Sequence, residues 1–107
     1  MDLSIVIVNW NTRALLRDCL LSVRQGLGEL NAEVWVVDNG STDGSQAMLA
    51  HEFPKVRLIA NPDNRGFAAA NNQALKQARG RHVLLLNTDT LVHGSVLPDA
   101  VRWLDDH

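Results

Sequence analysis

The apolar residues of this chain alternate between short uniform runs and stretches with a helical repeat. The short runs, which we predict to be strands, are residues 3–8 (LSIVIV), 34–38 (VWVVD), 56–60 (VRLIA) and 82–87 (HVLLLN). Alternating strands and helices are typical of β-α-β units around a buried parallel sheet. Uniform runs predict burial on both faces, whereas residues 56–60 alternate more and suit an outer strand. The sequence therefore predicts a three-layer α/β/α fold with a mostly parallel, Rossmann-like sheet.

The stretches between the runs predict helices. In the first, apolar residues such as Leu16, Cys19, Leu20 and Val23 recur at helical spacing. Serine and threonine are favoured N-caps, and glycine commonly ends a helix. On this basis we predict helices over residues 12–26, 42–52, 67–79 and 96–105, with Thr12, Ser41 and Ser95 as caps.

Composition and charge narrow the class of protein. A chain of 107 residues with 46% hydrophobic content suits a single domain, residues 1–107. Ten Lys+Arg against twelve Asp+Glu, without a basic block, argue against nucleic acid as a partner. Cys19 is the one cysteine, which excludes an internal disulfide and favours a cytoplasmic location. The first ten residues resemble neither a signal peptide nor a transmembrane segment.

Polar residues follow each predicted strand at the point where it ends. Ligands of open parallel sheets bind outside the carboxyl ends of the strands, so we expect these loops to share one crevice. Any one such loop carries little information, since asparagine, aspartate, glycine and serine are ordinary turn residues. The residues concerned are Asn9, Trp10, Asn11 and Thr12; Asp38, Asn39, Gly40 and Ser41; Asn61, Asp63, Asn64 and Arg65; and Asn87, Thr88 and Asp89.

Two acidic residues of these loops are candidates for function. Asp38 directly follows a valine-rich run, where a carboxylate must stay solvated or find a partner. We expect it at the mouth of the crevice. Asn87 and Asp89 lie two residues apart after a leucine run, which lets two oxygen ligands converge on a hard cation such as Mg²⁺ or Mn²⁺.

The histidines and tryptophans give weaker indications of function than these loops. The four histidines have no i, i+4 pair, which argues against a histidine metal cluster, although His93 follows Asp89 by four residues. Trp35 and Trp103 are predicted to be core residues, whereas Trp10, at a strand end, is placed to stack on a base.

Four segments in this order, VIVNWNTRALLRDCLLSV, VVDNGSTDGS, NRGFAAANNQAL and LLLNTDT, carry a resemblance to a known family. They resemble the nucleotide-binding half of family 2 glycosyltransferases, enzymes of the GT-A fold, and most of all the rhamnosyltransferase-like branch. The likeness covers essentially the whole chain. It implies transfer of a sugar from a UDP- or dTDP-sugar, dTDP-rhamnose among them, to a glycan or lipid-linked acceptor, with Mg²⁺ or Mn²⁺ as cofactor.

The resemblance also implies a role for individual residues. Asp38 would accept a hydrogen bond from the base N3–H, and Arg65 would contact base or phosphate. Phe67 would pack. Asn87 replaces the first acid of the family's Asp-x-Asp signature, as occurs in the rhamnosyltransferase-like branch, and leaves Asp89 as the metal-binding carboxylate. The implied nucleotide-sugar site is Asn9, Trp10, Asn11, Asp38, Arg65, Asn72 (with Asn71 as its alternative), Asn87 and Asp89.

No residue of the chain suits the carboxylate base that an inverting transfer requires. In the family that base follows the matched region, so we expect it beyond residue 107 and expect this chain to be a fragment of a longer glycosyltransferase, associated peripherally with the cytoplasmic face of a membrane. A second hypothesis is a non-catalytic module that binds a nucleotide or assembles into homo-oligomers through an exposed sheet edge. A dinucleotide-dependent oxidoreductase is disfavoured, because VNWNT stands in place of the glycine-rich fingerprint.

Overall fold

Strands and helices alternate strictly along the protein. The computed structural model describes residues 1–107. All strand pairings are parallel, and the strand order in the sheet is β3-β2-β1-β4. The predicted parallel α/β architecture is therefore confirmed. The elements are β1 (Leu3–Asn9), α1 (Arg13–Gly26), β2 (Ala32–Asn39), α2 (Ser45–Glu52), β3 (Arg57–Asn61), α3 (Phe67–Leu75), β4 (His82–Leu86) and α4 (Val96–Asp106).

Apolar clusters lie on both faces of the sheet. The larger cluster joins α1, α2 and α4 to strand residues such as Ile5 and Val36. The smaller cluster places Ala70 and Ala74 of α3 against strand residues such as Val6. Side chains alternate between the faces of a strand, so Ile5 and Val6 serve different clusters. The sheet is thus covered by helices on both sides, as predicted. None of the helices has both the length and the apolar character needed to cross a membrane.

The outer strands differ from each other in how far they match prediction. β3 lies at one edge, as its mixed polarity predicted. β4 lies at the other edge, and the prediction that its apolar run is buried on both faces is wrong. Leu84 and Leu86 pack on the larger cluster, but Val83 and Leu85 are 44% and 47% exposed. The reason is that α3 lies over β1 and β2 and leaves that face of β4 open.

Two further expectations about local structure are corrected. Ser41 does not cap the second helix, which begins at Ser45 after Gly44 in the left-handed conformation. Thr12 and Ser95 occupy N-cap positions, but neither side chain makes a capping hydrogen bond. Trp35 is buried as predicted, whereas Trp103 is 58% exposed and stacks on the His107 ring at the outer face of α4.

A buried carboxylate joins the amino end of the sheet to the α3–β4 connection. Glu33 accepts hydrogen bonds from the Ser4 hydroxyl (2.6 Å) and the Arg79 backbone N–H (2.7 Å). Its other oxygen lies 3.5 Å from Nε of Arg57. Burial by itself would raise the pKa of Glu33, but the hydrogen bonds from Ser4 and Arg79 and the charge of Arg57 outweigh burial and lower it. The ionised form is therefore the stable one in the fold.

Glu33→Gln is expected to make stability less dependent on acid pH. A lowered folded pKa means that the stabilisation is fully present above the unfolded pKa, near 4.5, and is lost as the pH falls through the folded pKa. The glutamine oxygen can still accept from Ser4 and Arg79, so we expect a loss of only about 1 kcal/mol in the free energy of unfolding at pH 7. Urea titrations between about pH 7 and pH 3 measure this. Asp18→Asn, at an exposed position of α1, is the control. An unchanged pH dependence in Glu33→Gln would contradict the prediction.

Candidate functional site

The carboxyl ends of the strands lie side by side at one edge of the sheet. In the parallel register Asn9 of β1 pairs with Asp38 of β2, and Asn39 of β2 pairs with Asn61 of β3. The chain proceeds from β1 to β2 and β3 on one side, and β4 lies on the other side of β1. The β1–β4 boundary is therefore the topological switch point, where adjacent loops part and a crevice forms. The structure brings the predicted loop residues to this edge.

Asp38 is a fully buried carboxylate beneath these loops. It is 0% exposed and accepts four hydrogen bonds. Asn9 Nδ2 (2.8 Å) and Ser41 Oγ (2.6 Å) donate to Oδ1, while the Ser41 backbone N–H (3.0 Å) and Gln46 Nε2 (2.9 Å) donate to Oδ2. Burial alone would raise the pKa of Asp38, but the hydrogen bonds from Gln46, Ser41 and Asn9 outweigh burial and lower it.

The expected position of Asp38 at the mouth of the crevice is thus corrected. Hydrogen bonds from protein groups take the place of hydrogen bonds from water to this carboxylate. Asn9, also 0% exposed, is buried with it. Neither side chain presents an atom to a ligand in this conformation. The buried Asp38 and Asn9 form the floor of the candidate site at this edge of the sheet. The exposed residues of the same loops form its surface.

The loop after β1 is held to the loop after β2. Asn11 adopts a φ of 52°, a left-handed conformation that asparagine tolerates better than most residues. Its backbone N–H donates to Ser41 Oγ (2.9 Å), and its Oδ1 accepts from the Thr42 backbone N–H (2.8 Å). Trp10, between Asn9 and Asn11, is 54% exposed. The loop therefore presents the indole outward from a restrained backbone.

The loop after β4 carries Asn87 and Asp89, both exposed. The Thr90 N–H donates to the Asn87 carbonyl (3.0 Å), which the Cys19 thiol also approaches from α1 (Sγ–O 3.8 Å). Burial, and to a smaller extent the charge of Asp89, raise the pKa of Cys19 to about 11. Cys19 therefore stays a protonated thiol at neutral pH and supports the loop from below.

Two further predicted site residues follow β3, with Arg65 in the loop after the strand and Asn72 in the second turn of α3. The Arg65 guanidinium is about half exposed, with Nε 3.5 Å from Asp63. Asn72 is exposed on α3, whereas its alternative, Asn71, is buried and donates to the Phe67 carbonyl (3.2 Å). Phe67 is 56% exposed, so the expectation that it packs is wrong. Phe67 is the first residue of α3, at the end of the helix, and it does not belong to the apolar cluster that Ala70 and Ala74 form with the sheet.

Two glutamines that help to hold this edge together, Gln46 and Gln73, were missed in the sequence. Gln46 completes the hydrogen bonds of Asp38 from α2. On the opposite face of the sheet, Asn61 donates to Asn39 Oδ1 (3.0 Å) and to Gln73 Oε1 (2.8 Å). The signal available in the sequence was that each glutamine lies next to the residues of its helix that are buried. The partners themselves are set by tertiary pairing, which no local pattern reports.

A metal ion at this edge would find few protein ligands. No group of three or more His, Cys, Asp or Glu is arranged to hold a metal. Asp89 and Asn87 are oxygen donors of the kind that Mg²⁺ and Mn²⁺ accept. The donor set therefore fits a cation whose other ligands come from a bound anion and water.

Comparison with known proteins agrees with this architecture. A parallel sheet with polar loops at its switch point defines the class of α/β proteins that bind ligands at the carboxyl edge. The chain belongs to glycosyl transferase family 2, whose sequence model matches residues 4–107. Its fold is that of the GT-A glycosyltransferases.

Individual relatives extend well beyond the matched region. The uncharacterized glycosyltransferase YfnE of Bacillus subtilis is 37% identical over 94 residues, which cover 85% of this chain and 24% of YfnE. TarS of S. aureus in complex with UDP-GlcNAc is 28% identical, with a TM-score of 0.85, over 100% of this chain and 32% of that one. The mannosyltransferase PcManGT of Pyrobaculum calidifontis, in complex with GDP-Man and Mn²⁺, is 29% identical, with a TM-score of 0.85, over 95% of this chain and 32% of that one. This chain thus spans a third or less of the length of these proteins.

Proposed function

We propose that this chain is the donor-binding half of a glycosyltransferase that transfers a sugar from a nucleoside-diphosphate sugar to a glycan or lipid-linked acceptor. The observation that carries the proposal is the exposure of Trp10, Asn11 and Asp89 at the carboxyl edge, on a floor formed by buried Asn9 and Asp38. The ligands of TarS and PcManGT support a nucleotide sugar as the donor class. For the finer donor we propose a UDP- or dTDP-sugar such as dTDP-rhamnose, because Asn87 and Asp89 resemble the Asn-x-Asp signature of the rhamnosyltransferase-like branch.

The base would lie against the loop after β1. Trp10 offers a largely exposed indole face, and stacking on such a face contributes about 1–3 kcal/mol per base in other proteins. Asn11 lies beside it on a restrained backbone. A hydrogen bond from the base N3–H to Asp38 would replace one of the four donors that Asp38 has here. Gln46 is the donor most easily displaced, because its side chain makes no other hydrogen bond, whereas those of Asn9 and Ser41 do.

The diphosphate would lie toward the loop after β4. Asp89 and Asn87 would hold Mg²⁺ or Mn²⁺, and the cation would stabilise the negative charge that develops on the leaving diphosphate. Arg65 and Asn72 would approach the nucleotide from the β3 side, where Arg65 supplies an exposed positive charge. No residue among 1–107 is assigned as the base that activates the acceptor hydroxyl.

Asp89→Ala is expected to remove the metal-dependent part of nucleotide binding. In the unmodified chain we expect calorimetry to give dissociation constants for UDP or dTDP in the micromolar to millimolar range in the presence of Mn²⁺ or Mg²⁺. The variant should bind at least about tenfold more weakly with metal and equally without it, because the exposed carboxylate is the cation's charged ligand.

Asp63→Ala, an exposed carboxylate at the same edge, is the control and should keep the metal effect. Including GDP tests the donor class, since the finer assignment requires tighter binding of UDP or dTDP. Absence of heat with all three nucleotides at every metal concentration would reject donor binding. A metal effect that survives Asp89→Ala would reject the assigned metal ligand.

The alternative, a non-catalytic assembling module, is motivated by one observation, although the comparisons with known proteins do not favour it. The edge strand β4 exposes Val83 and Leu85 on one face and has no partner on its outer side. Open edges of this kind pair with other strands. Gel filtration combined with a sugar-transfer assay separates the two functions, because transfer by this chain would exclude a purely assembling role.

A further inference from the structure

We propose that Thr12 and Thr88 are positioning residues that link the buried Asp38 to the loop carrying Asp89, so that the base side and the metal side of the site are organised together. The ligand named in this inference rests on the proposed function. The geometry rests on a chain of side-chain hydrogen bonds that crosses the β1–β4 boundary.

The direction of this chain is set at Asp38. Oδ2 accepts from the Ser41 backbone N–H and from the Gln46 amide, and Oδ1 accepts from the Ser41 hydroxyl at 2.6 Å. An ionised carboxylate only accepts hydrogen bonds. Asn9, 2.8 Å from Oδ1, must therefore present its NH₂ group to Asp38. The charge of the carboxylate thus decides the orientation of the Asn9 amide.

The orientation of Asn9 then decides those of the two threonines. With Nδ2 directed at Asp38, Oδ1 of Asn9 lies 2.8 Å from Thr12 Oγ1 and can only accept. Thr12 has one hydroxyl proton and uses it here. Its oxygen offers only lone pairs to Thr88 Oγ1, 3.2 Å away, so Thr88 must donate. The order of donation, from Thr88 to Thr12 to Asn9 to Asp38, is the one that satisfies every group.

This order has a structural consequence for the loop after β4. Thr88 lies between Asn87 and Asp89 and is partly buried, so a fixed hydroxyl restrains the backbone on both sides of it. The Thr12–Thr88 contact is the one side-chain hydrogen bond that joins the loop after β1 to the loop after β4. These are the two loops that part at the switch point. Preorganising both loops couples the binding of ligands that touch either one.

The test compares Thr12→Val with Thr12→Ser. Valine keeps the branched shape but leaves Asn9 Oδ1 without a donor, whereas serine retains the hydroxyl. The measurement is the affinity for UDP with and without Mn²⁺. We expect Thr12→Val to reduce the enhancement of UDP affinity by Mn²⁺ at least about fivefold. The Thr12→Ser variant, which keeps the hydroxyl, should retain the enhancement. Thr42→Val, which removes a hydroxyl that makes no hydrogen bond, should keep the full enhancement.

A second measurement needs no ligand. In the ligand-free chain, Thr12→Val should shift the NMR signals of the Thr88, Asp89 and Thr90 amides, and Thr12→Ser and Thr42→Val should not. If Thr12→Val does not fold, Thr88→Val breaks the same link and should reduce the same Mn²⁺ enhancement.

The outcomes separate the two proposals. Absence of UDP binding by the unmodified chain would overturn the proposed function and the coupling with it, while the amide shifts would still report on the hydrogen-bond chain. A folded Thr12→Val variant with an undiminished Mn²⁺ enhancement and unshifted amides in residues 88–90 would overturn the positioning role alone.

Discussion

Asp38→Asn should lower the free energy of unfolding by about 3 kcal/mol, because the asparagine cannot satisfy the donors that surround it. Each oxygen of Asp38 accepts two hydrogen bonds. An NH₂ in place of Oδ2 faces the Ser41 backbone N–H, which can only donate, and the Gln46 amide. An NH₂ in place of Oδ1 faces the Ser41 hydroxyl and the Asn9 amide, which must both reverse, and a reversed Asn9 no longer accepts from Thr12. Glu33 differs in this respect, since its two short hydrogen bonds share one oxygen and a glutamine oxygen can replace it.

The substitution should also alter the response to acid. The pKa of Asp38 is lowered in the fold, so its stabilisation is complete above the unfolded pKa, near 3.8, and is lost as the pH falls through the folded pKa. Urea denaturation of Asp38→Asn at about pH 7 and about pH 2.5 should therefore show a smaller acid-induced loss of stability than the unmodified chain, because the lower pH lies below the unfolded pKa. Asp63→Asn is the matched control at an exposed carboxylate, with an expected change within about 0.5 kcal/mol. Equal stability of the two variants would contradict the assigned role of Asp38.

Gly80→Ala should destabilise the chain by about 3 kcal/mol or more, because the added methyl group meets backbone that cannot move aside. A Cβ at residue 80 would lie 2.3 Å from the backbone N of Ser4 and 2.5 Å from the carbonyl carbon of Leu3. The Gly80 N–H also donates to the Ser4 hydroxyl (2.7 Å), which in turn donates to Glu33. Displacing residue 80 would break this group of contacts between β1, β2 and the start of β4.

Gly26→Ala is the control for this prediction. The Cβ at residue 26 would lie 3.1 Å from a side-chain methyl of Val92, which can shift, and alanine favours the helix by up to about 1 kcal/mol over glycine. Thermal or urea unfolding should therefore find Gly26→Ala within about 1 kcal/mol of the unmodified chain. A Gly80→Ala variant as stable as Gly26→Ala would show that the β1–β4 junction is looser than the structure indicates.

The order and type of the elements were predictable because they depend on local patterns. Runs such as residues 3–8 and 82–87 are apolar enough to be recognised without knowledge of their neighbours. The ends were less predictable. β2 begins at Ala32, two residues before the predicted start, and includes the charged Glu33. Its partners Ser4 and Arg79, 29 and 46 residues away, make a buried carboxylate acceptable there.

The exposure of individual side chains was less predictable still. Val83, Leu85, Phe67 and Trp103 are apolar but exposed, because no element of this chain covers their faces. Hydrophobicity reports what a side chain prefers, and the arrangement of elements decides whether a neighbour is present. The same limit applied to Ser41, whose sequence context suits a helix cap but whose hydroxyl donates to Asp38 instead.

For this protein, the sequence alone determined an α/β order of elements and the presence of polar residues at the strand ends, because both are properties of neighbouring residues. Only the tertiary structure decided that Asn9 and Asp38 form a buried floor while Trp10 and Asp89 stay at the surface. Parallel pairing brings Asn9 and Asp38 together across 29 residues, and Thr12 meets Thr88 across 76. Hydrogen-bond partners at such separations are set by the packing of the strands, so the distinction between floor and surface is a property of the folded sheet.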